Sequence, residues 1–289
     1  MIKMVISLIN AKTLIPVFII FGLLVIPVTN AYSQAIIPQS FFLEDPFADT
    51  DVQARGEWIN IKGDAGGGSL WMNQFRADIN IYENLLGVYV KVPFAGVSGN
   101  SALDGDYDIG NVGVGGKAAL ISTDQYILTA GFEGIIPTTS NGDGAAAARS
   151  YFRDFVYFVD DAWTLKPYGI FAAGNGQIGF QANIDGDIVL DADSIEGSST
   201  EFLLKYGGTV SYTPELNTPF ATSLLVEVLG VSSTSFNDNI TGGYVTPGIR
   251  VGGQTVSMGA GVEIPFGSDE VSDFADIGVV LDLIFRFGS

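Results

Sequence analysis

From Asp276 to Phe287 every odd position is apolar (Ile277, Val279, Leu281, Leu283, Phe285, Phe287), while Asp276, Gly278, Asp282 and Arg286 fall on even ones. Successive side chains of a strand point to opposite faces, so a strand here has one continuous greasy face and one that carries charge. The edge strand of a soluble sandwich shows part of this pattern. A transmembrane barrel requires it, because apolar residues meet lipid, polar residues meet the lumen, and the last strand closes the cylinder. The rest of the chain decides between the two.

Twelve strand candidates follow one another: Val52–Ile61, Leu70–Tyr82, Leu85–Pro93, Asp108–Ile121, Gln125–Pro137, Arg149–Val159, Trp163–Gly174, Glu201–Thr213, Phe220–Val231, Gly243–Val251, Gln254–Phe266 and the closing strand from Ala275. Alternation is clearest where Phe75, Ala77, Ile79 and Ile81 interleave with Gln74, Arg76, Asp78 and Asn80. The facing of the first strand stays open, because Arg55 and Glu57 share a parity with Ile59 and Ile61. Within 149–159 the neighbours Arg153 and Asp154 would point opposite ways, which puts one of them near an end or rim. Connections after odd-numbered strands are long and those after even-numbered strands short. The longest, 175–201, holds a weakly alternating stretch, Gln177–Leu190, that reads as a hairpin above the barrel. Sorting of loops by parity is the mark of an outer-membrane barrel with periplasmic turns, and a sandwich has no reason for it. The expected fold is therefore all-β, an up-and-down antiparallel transmembrane barrel of about twelve strands over 52–289. Such a barrel is wider than one that side chains fill and narrower than a porin, so a restricted or partly plugged channel is expected.

The beginning of the chain agrees with export. Lys3 and Lys12 precede or flank an apolar run from Leu14 to Val28, and small residues follow, with Ala31 and Ala35 as alternative cleavage points. That is the anatomy of a cleaved signal peptide over 1–35; a retained anchor is the other reading, although the run is shorter than the ~20 residues of a spanning helix. Residues 36–51 contain two prolines and no clean period, and read as a periplasmic lead-in that could fold into the barrel mouth. Loss of the leader removes two of 13 basic residues and no acid, leaving 11 against 32, a net charge of −21. Such acidity argues against a nucleic-acid partner. The chain has no cysteine and no histidine. It thus lacks a thiol nucleophile and the commonest general base and metal ligand, which argues against a barrel enzyme. No cofactor and no metal ligand set is expected.

Placing the charges by parity puts Arg76, Asp78, Lys91, Lys117, Glu133, Lys166, Lys205, Glu227, Arg250, Glu263, Asp282 and Arg286 on the lumen face. They read either as ion pairs holding a narrow barrel together or as a polar path along its wall. The acidic excess is expected in loops, with six acids between Asp185 and Glu201. That cluster reads as solvated loop or as divalent-cation binding near lipopolysaccharide, and matches no calcium-loop motif.

Several stretches resemble, in order, the outer-membrane transporters described as meta-pathway phenol-degradation proteins, which are distantly similar to long-chain fatty-acid transporters. These are Val90-Lys91-Val92-Pro93-Phe94, Asp108-Ile109-Gly110-Asn111-Val112-Gly113-Val114-Gly115-Gly116-Lys117, Gly134-Ile135-Ile136-Pro137-Thr138, Glu227, Thr246-Pro247-Gly248-Ile249-Arg250 and Val262-Glu263-Ile264-Pro265-Phe266. The resemblance implies uptake of small hydrophobic or aromatic compounds. The long connection at 175–201 and the terminal Gly288-Ser289 depart from the family pattern.

Two functions remain in view. One is a passive outer-membrane channel for small solutes, with outer-membrane lipid, lipopolysaccharide, the barrel-assembly machinery and the solute as partners. The other is a structural or surface-binding barrel with a closed lumen and acidic outer loops. In both, Phe287 is the expected aromatic end-signal for insertion. Deleting the codon for Phe287 should cut the amount of heat-modifiable, folded barrel in membranes several-fold, whereas deleting Ser289 should leave it unchanged; equal losses would remove that role.

Overall fold

The computed structural model describes residues 39–83, 85–103, 105, 107–140, 142–190, 200–214, 220–233 and 240–287. The strands are β1 (Asp51–Ile61), β2 (Ser69–Tyr82), β3 (Leu86–Ser98), β4 (Tyr107–Ile109), β5 (Val112–Ser122), β6 (Tyr126–Ile136), β7 (Trp163–Gly174), β8 (Ile178–Leu190), β9 (Thr200–Tyr212), β10 (Ala221–Ser233), β11 (Ile240–Gly252), β12 (Val256–Gly267) and β13 (Ala275–Arg286). All paired strands are antiparallel, and all are consecutive except β3 with β5 and the closing pair β1 with β13. β1 pairs with β13 from Asp51↔Arg286 to Ile61↔Ala275, with a register shift after Asn60, which closes the sheet into a barrel of twelve strands. Short β4 sits above β5 on the same edge of β3, so the expected strand 108–121 exists but breaks at Gly110-Asn111.

The outer surface is apolar. Phe75, Ile79, Val114, Phe132, Ile184, Phe202, Val226 and Leu281 are all exposed, one or more from most strands. In lipid every backbone group must bond within the protein, and only a closed ladder does this for strands. The inner surface is zoned by height. On β1 the inward residues pass from Arg55 and Glu57 to Ile59 and Ile61 as the strand rises away from its partner Arg286. β2 does the same in reverse, from Leu70 and Met72 down to Arg76 and Asp78. This zoning is why parity alone left the facing of β1 open: both halves face inward, one against charge and one against apolar side chains.

What fills the apolar half is the connection between β6 and β7. Residues 149–159 are not a strand. They follow helix α1 (Asp143–Arg149) and form a 3₁₀ segment, Phe152–Tyr157, inside the barrel. The alanine run favours helix, and Asp143 and Arg149 complement its dipole. Tyr151, Phe155, Val156, Tyr157, Phe158 and Val159 are buried against Ile59, Leu70, Val97, Ile135, Leu203 and Tyr244 of the wall. A segment enclosed on all sides needs no polar face, so its run of aromatics imitates a strand. Arg153 and Asp154 do not split between faces; they pair with each other at 2.7 Å.

Residues of the resembling motif anchor this insertion. The Asn111 carboxamide donates to the Val159 carbonyl (2.6 Å) and accepts from the Thr138 and Thr139 amides (2.9 and 3.0 Å), tying together its two ends. The Asp108 carboxylate accepts from the Ala145 amide and the Ser140 hydroxyl (3.1 and 2.7 Å).

The second difference is β8. Residues 178–190 form a barrel strand, not a hairpin above it, so the missing strand and the extra one cancel and the total of twelve stands. Three of the six acids assigned to a loop then lie on the wall: Asp185 and Asp187 on β8 and Glu201 on β9, all facing inward. The rest of that cluster falls outside the described residues, as do residues 1–35, expected to be a signal peptide, residues 36–38 and Gly288-Ser289.

Candidate functional site

The charged half of the lumen is occupied by the chain's own lead-in. Residues 39–50 contain no helix or strand and run inside the barrel to the start of β1. Gln39, Ser40, Phe41, Leu43, Glu44, Asp45 and Ala48 are buried. A segment without secondary structure must bond its backbone to something else, and here the wall side chains serve. The Glu227 carboxylate accepts three successive amides, Phe41 (2.8 Å), Phe42 (3.1 Å) and Leu43 (3.1 Å). Arg55 donates to the Phe41 carbonyl (3.1 Å), Gln181 and Asn183 to that of Glu44 (2.7 and 3.1 Å), Lys117 to that of Asp45 (3.1 Å), and Thr129 to that of Pro46 (2.7 Å). The Phe41 ring lies where the wall has no side chains. A Cβ at Gly248 or Gly259 would come within 2.5 or 2.7 Å of the ring, so only glycine leaves room.

Glu44 is the electrostatic centre. Its carboxylate meets Arg76 at 2.5 Å, Lys91 in direct contact and Lys166 at 3.7 Å. Each of these cations also has a wall carboxylate: Asp78 beside Arg76 (2.6 Å), Glu133 beside Lys91 (2.9 Å) and Asp185 beside Lys166 (3.0 Å). Lys117 reaches Asp78 at 3.5 Å. Burial alone would push the Glu44 carboxyl up, but the charges of Lys91, Arg76 and Lys166 together hold it well below the usual carboxylate range. Asp49 moves the other way, raised first by burial and then by the charge of Asp45. Carboxylate oxygens of Asp45, Asp49 and Asp51 lie within 4.8 Å of one another.

The twelve wall charges read from parity are placed along this segment and the insertion above it, not in one cluster. Arg76, Asp78, Lys91, Lys117, Glu133 and Lys166 form the network around Glu44. Lys205 pairs with Asp187 at 2.7 Å, and Arg250 with Asp282 at 2.6 Å. Glu227 takes the amides of 41–43. Glu263 binds Arg153 and the Tyr151 hydroxyl of the insertion. Arg286 reaches Asp49 at 3.6 Å and Gln39 at 2.9 Å. Phe287 is exposed, and its amide donates to the Thr50 carbonyl at 2.8 Å. Sequence reasoning missed Glu44, because nothing in Leu43-Glu44-Asp45-Pro46 marks it, and it missed Arg153 by misreading its segment. Arg153 contacts Glu57 and Glu263, and its guanidinium lies 3.8 Å over the Phe42 ring, where insertion and lead-in meet.

A cavity of about 60 Å³ remains beside Glu44, lined by Arg76, Lys91, Tyr157, Lys166 and Tyr168 among others. It admits a few waters and is far below the ~300 Å³ of a small ligand pocket. Among the described residues, the lead-in and the insertion occupy the interior on either side of this cavity.

A closed antiparallel barrel with an apolar exterior and a charged interior is an outer-membrane β-barrel. Solved structures with the same fold include an outer-membrane channel from Pseudomonas putida F1 (TM-score 0.54, 12% identity, covering 90% of this chain and 100% of that one). They also include the NanC porin (0.52, 11%, 82% and 100%) and LpxR from Salmonella typhimurium (0.51, 8%, 82% and 100%). At such identities the likeness is one of fold. No protein-family model and no curated protein matches the sequence.

The depressed Glu44 carboxyl gives a pH signature. Because its value in the seated segment lies below the ordinary 4.5, its contribution is fully present above about 4.5 and is lost as pH falls through the depressed value. Asp49 contributes with the opposite sign, so the comparison of wild type with Glu44→Gln isolates Glu44. Hydrogen exchange at the Phe41–Leu43 amides should be about 100-fold faster in Glu44→Gln at pH 7, the ~3 kcal/mol expected for removing one partner of a buried pair. The difference should shrink below pH 4.5. A difference that is constant from pH 7 to 3 would contradict the assignment.

Proposed function

We propose that the protein is a passive outer-membrane channel that its own residues 39–50 hold closed, and that it admits small solutes, hydrophobic and aromatic compounds among them, when that segment leaves. One observation carries this reading: apart from Thr50, whose carbonyl accepts the Phe287 amide, the segment is bonded to the barrel through wall side chains and adds nothing to the closed ladder. Removing it breaks no strand pairing and empties the charged half of the lumen. The fold shared with a channel and a porin supports the same reading. The family resemblance at Asp108–Lys117 and at the late-strand motifs supports the solute class. Lipid meets the apolar belt, and lipopolysaccharide and the barrel-assembly machinery complete the proposed partners. No catalytic role is proposed, since the chain holds no histidine and the carboxylates of Glu44, Asp78, Glu133, Asp185 and Glu227 are engaged by cations or amides.

A closed structural or surface-binding barrel is the second reading. The apolar packing of residues 145–159 against the upper wall favours it, since that half would stay filled after the lead-in departs.

Planar-bilayer recording separates the two. The intact protein should show rare, brief openings, and a variant lacking residues 39–48 a steady conductance at least about tenfold larger in time average. Silence from both, with heat-modifiable mobility showing that the variant folds, would favour the closed barrel and overturn the channel.

A further inference from the structure

The charge count around Glu44 says what could take its place. Among the described residues, ion pairs link Arg76, Lys91, Lys117 and Lys166 to Glu44, Asp78, Glu133 and Asp185 in one connected group. Four cations face four carboxylates, so the group is neutral with the segment seated. Asp78, Glu133 and Asp185 belong to wall strands and stay there; Glu44 alone arrives on the lead-in. Its departure leaves one uncompensated positive charge shared by Arg76, Lys91 and Lys166, in a place where an unpaired charge is costly.

We propose that Glu44 occupies the seat of a small monocarboxylate solute, whose carboxylate takes over the contacts to Arg76, Lys91 and Lys166 when the segment leaves. This rests on the reading of residues 39–50 as a displaceable closure. A monoanion restores neutrality; a neutral solute leaves the charge bare, and a dianion overshoots it. The surroundings suit a flat or short apolar body beside the carboxylate. The Arg76 guanidinium lies 4.2 Å over the Tyr89 ring, and Lys91 donates to the Tyr157 hydroxyl at 3.2 Å. Tyr157 and Tyr168 line the adjoining cavity. That cavity of about 60 Å³ cannot hold such a body while Glu44 is in place. Solute and segment therefore compete for one site, and a solute carboxylate helps to open its own path.

Titration calorimetry on the full chain in detergent tests this, with benzoate as probe and benzamide as its uncharged counterpart. Benzoate should bind Glu44→Gln at least about tenfold more tightly than wild type, because the variant keeps the segment and loses its charge. Benzamide should gain nothing, and adding Lys166→Met to Glu44→Gln should abolish the gain for benzoate. Equal gains for both probes, or a gain that survives Lys166→Met, would overturn the assignment. If Lys166→Met does not give a heat-modifiable folded barrel, Lys91→Met makes the same comparison. Bilayer recording on the same proteins keeps the two readings apart. Benzoate discrimination without conductance sinks the channel and leaves the carboxylate seat. Conductance without discrimination sinks the seat and leaves the channel.

Discussion

The ladder between β1 and β13 is the contact on which everything else depends. Without it the sheet would have two edges in lipid, with rows of unbonded amides and carbonyls that no solvent there can satisfy. Closing it fixes parity for every strand: one face belongs to lipid, and all remaining polarity must go inside. The interior is then a small, poorly solvated volume bearing many charges, and it is stable only if those charges find partners. The register Arg55↔Asp282 and the pair Arg250–Asp282 show wall strands supplying some of the partners themselves. The remainder comes from two pieces of chain that are not wall at all.

Those pieces divide the lumen by chemistry. Above, residues 143–159 bring aromatic and small apolar side chains, and the facing wall is Ile, Leu, Val and Met. Below, residues 39–50 bring carbonyls, amides and one critical carboxylate, and the facing wall is Arg, Lys, Glu and Gln. Glu44 and Glu227 show the logic in mirror image. Glu44 is a carboxylate of the segment received by cations of the wall, and Glu227 is a carboxylate of the wall received by amides of the segment. Charge on one side is met by complementary donors on the other in both cases, so the segment is held by many polar contacts of moderate strength. Such contacts can be exchanged for water or for a solute, which a continuous strand pairing cannot.

Much of the barrel was legible in sequence because lipid on one side and a charged lumen on the other write a period of two. Eleven of the twelve expected strands coincide with observed ones, one of them broken at Gly110-Asn111, and the terminal strand gives the pattern in its cleanest form. The failures have three separate causes. In β8 the inward Asp185 and Asp187 are balanced by Lys166 and Lys205 on neighbouring strands. A sequence displays the acids and not their partners, so they looked like loop residues. In 151–159 the segment is enclosed by protein, and alternation carries no information where there is no second solvent. Glu44 was invisible for a third reason. Its role depends on Arg76, Lys91 and Lys166 converging from three strands, and nothing local to residues 43–46 records that convergence.

The central claim is that residues 39–50 sit inside the barrel and close it. Since the chain has no cysteine, a single engineered pair reports on this directly. The Ser40 and Thr209 hydroxyl oxygens are 2.7 Å apart, close enough for Ser40→Cys and Thr209→Cys to form a disulfide. Oxidation in native membranes should cross-link the pair and silence single-channel openings, and reduction should restore them. A pair that does not cross-link, or a cross-linked barrel that conducts as freely as the reduced one, would contradict the account.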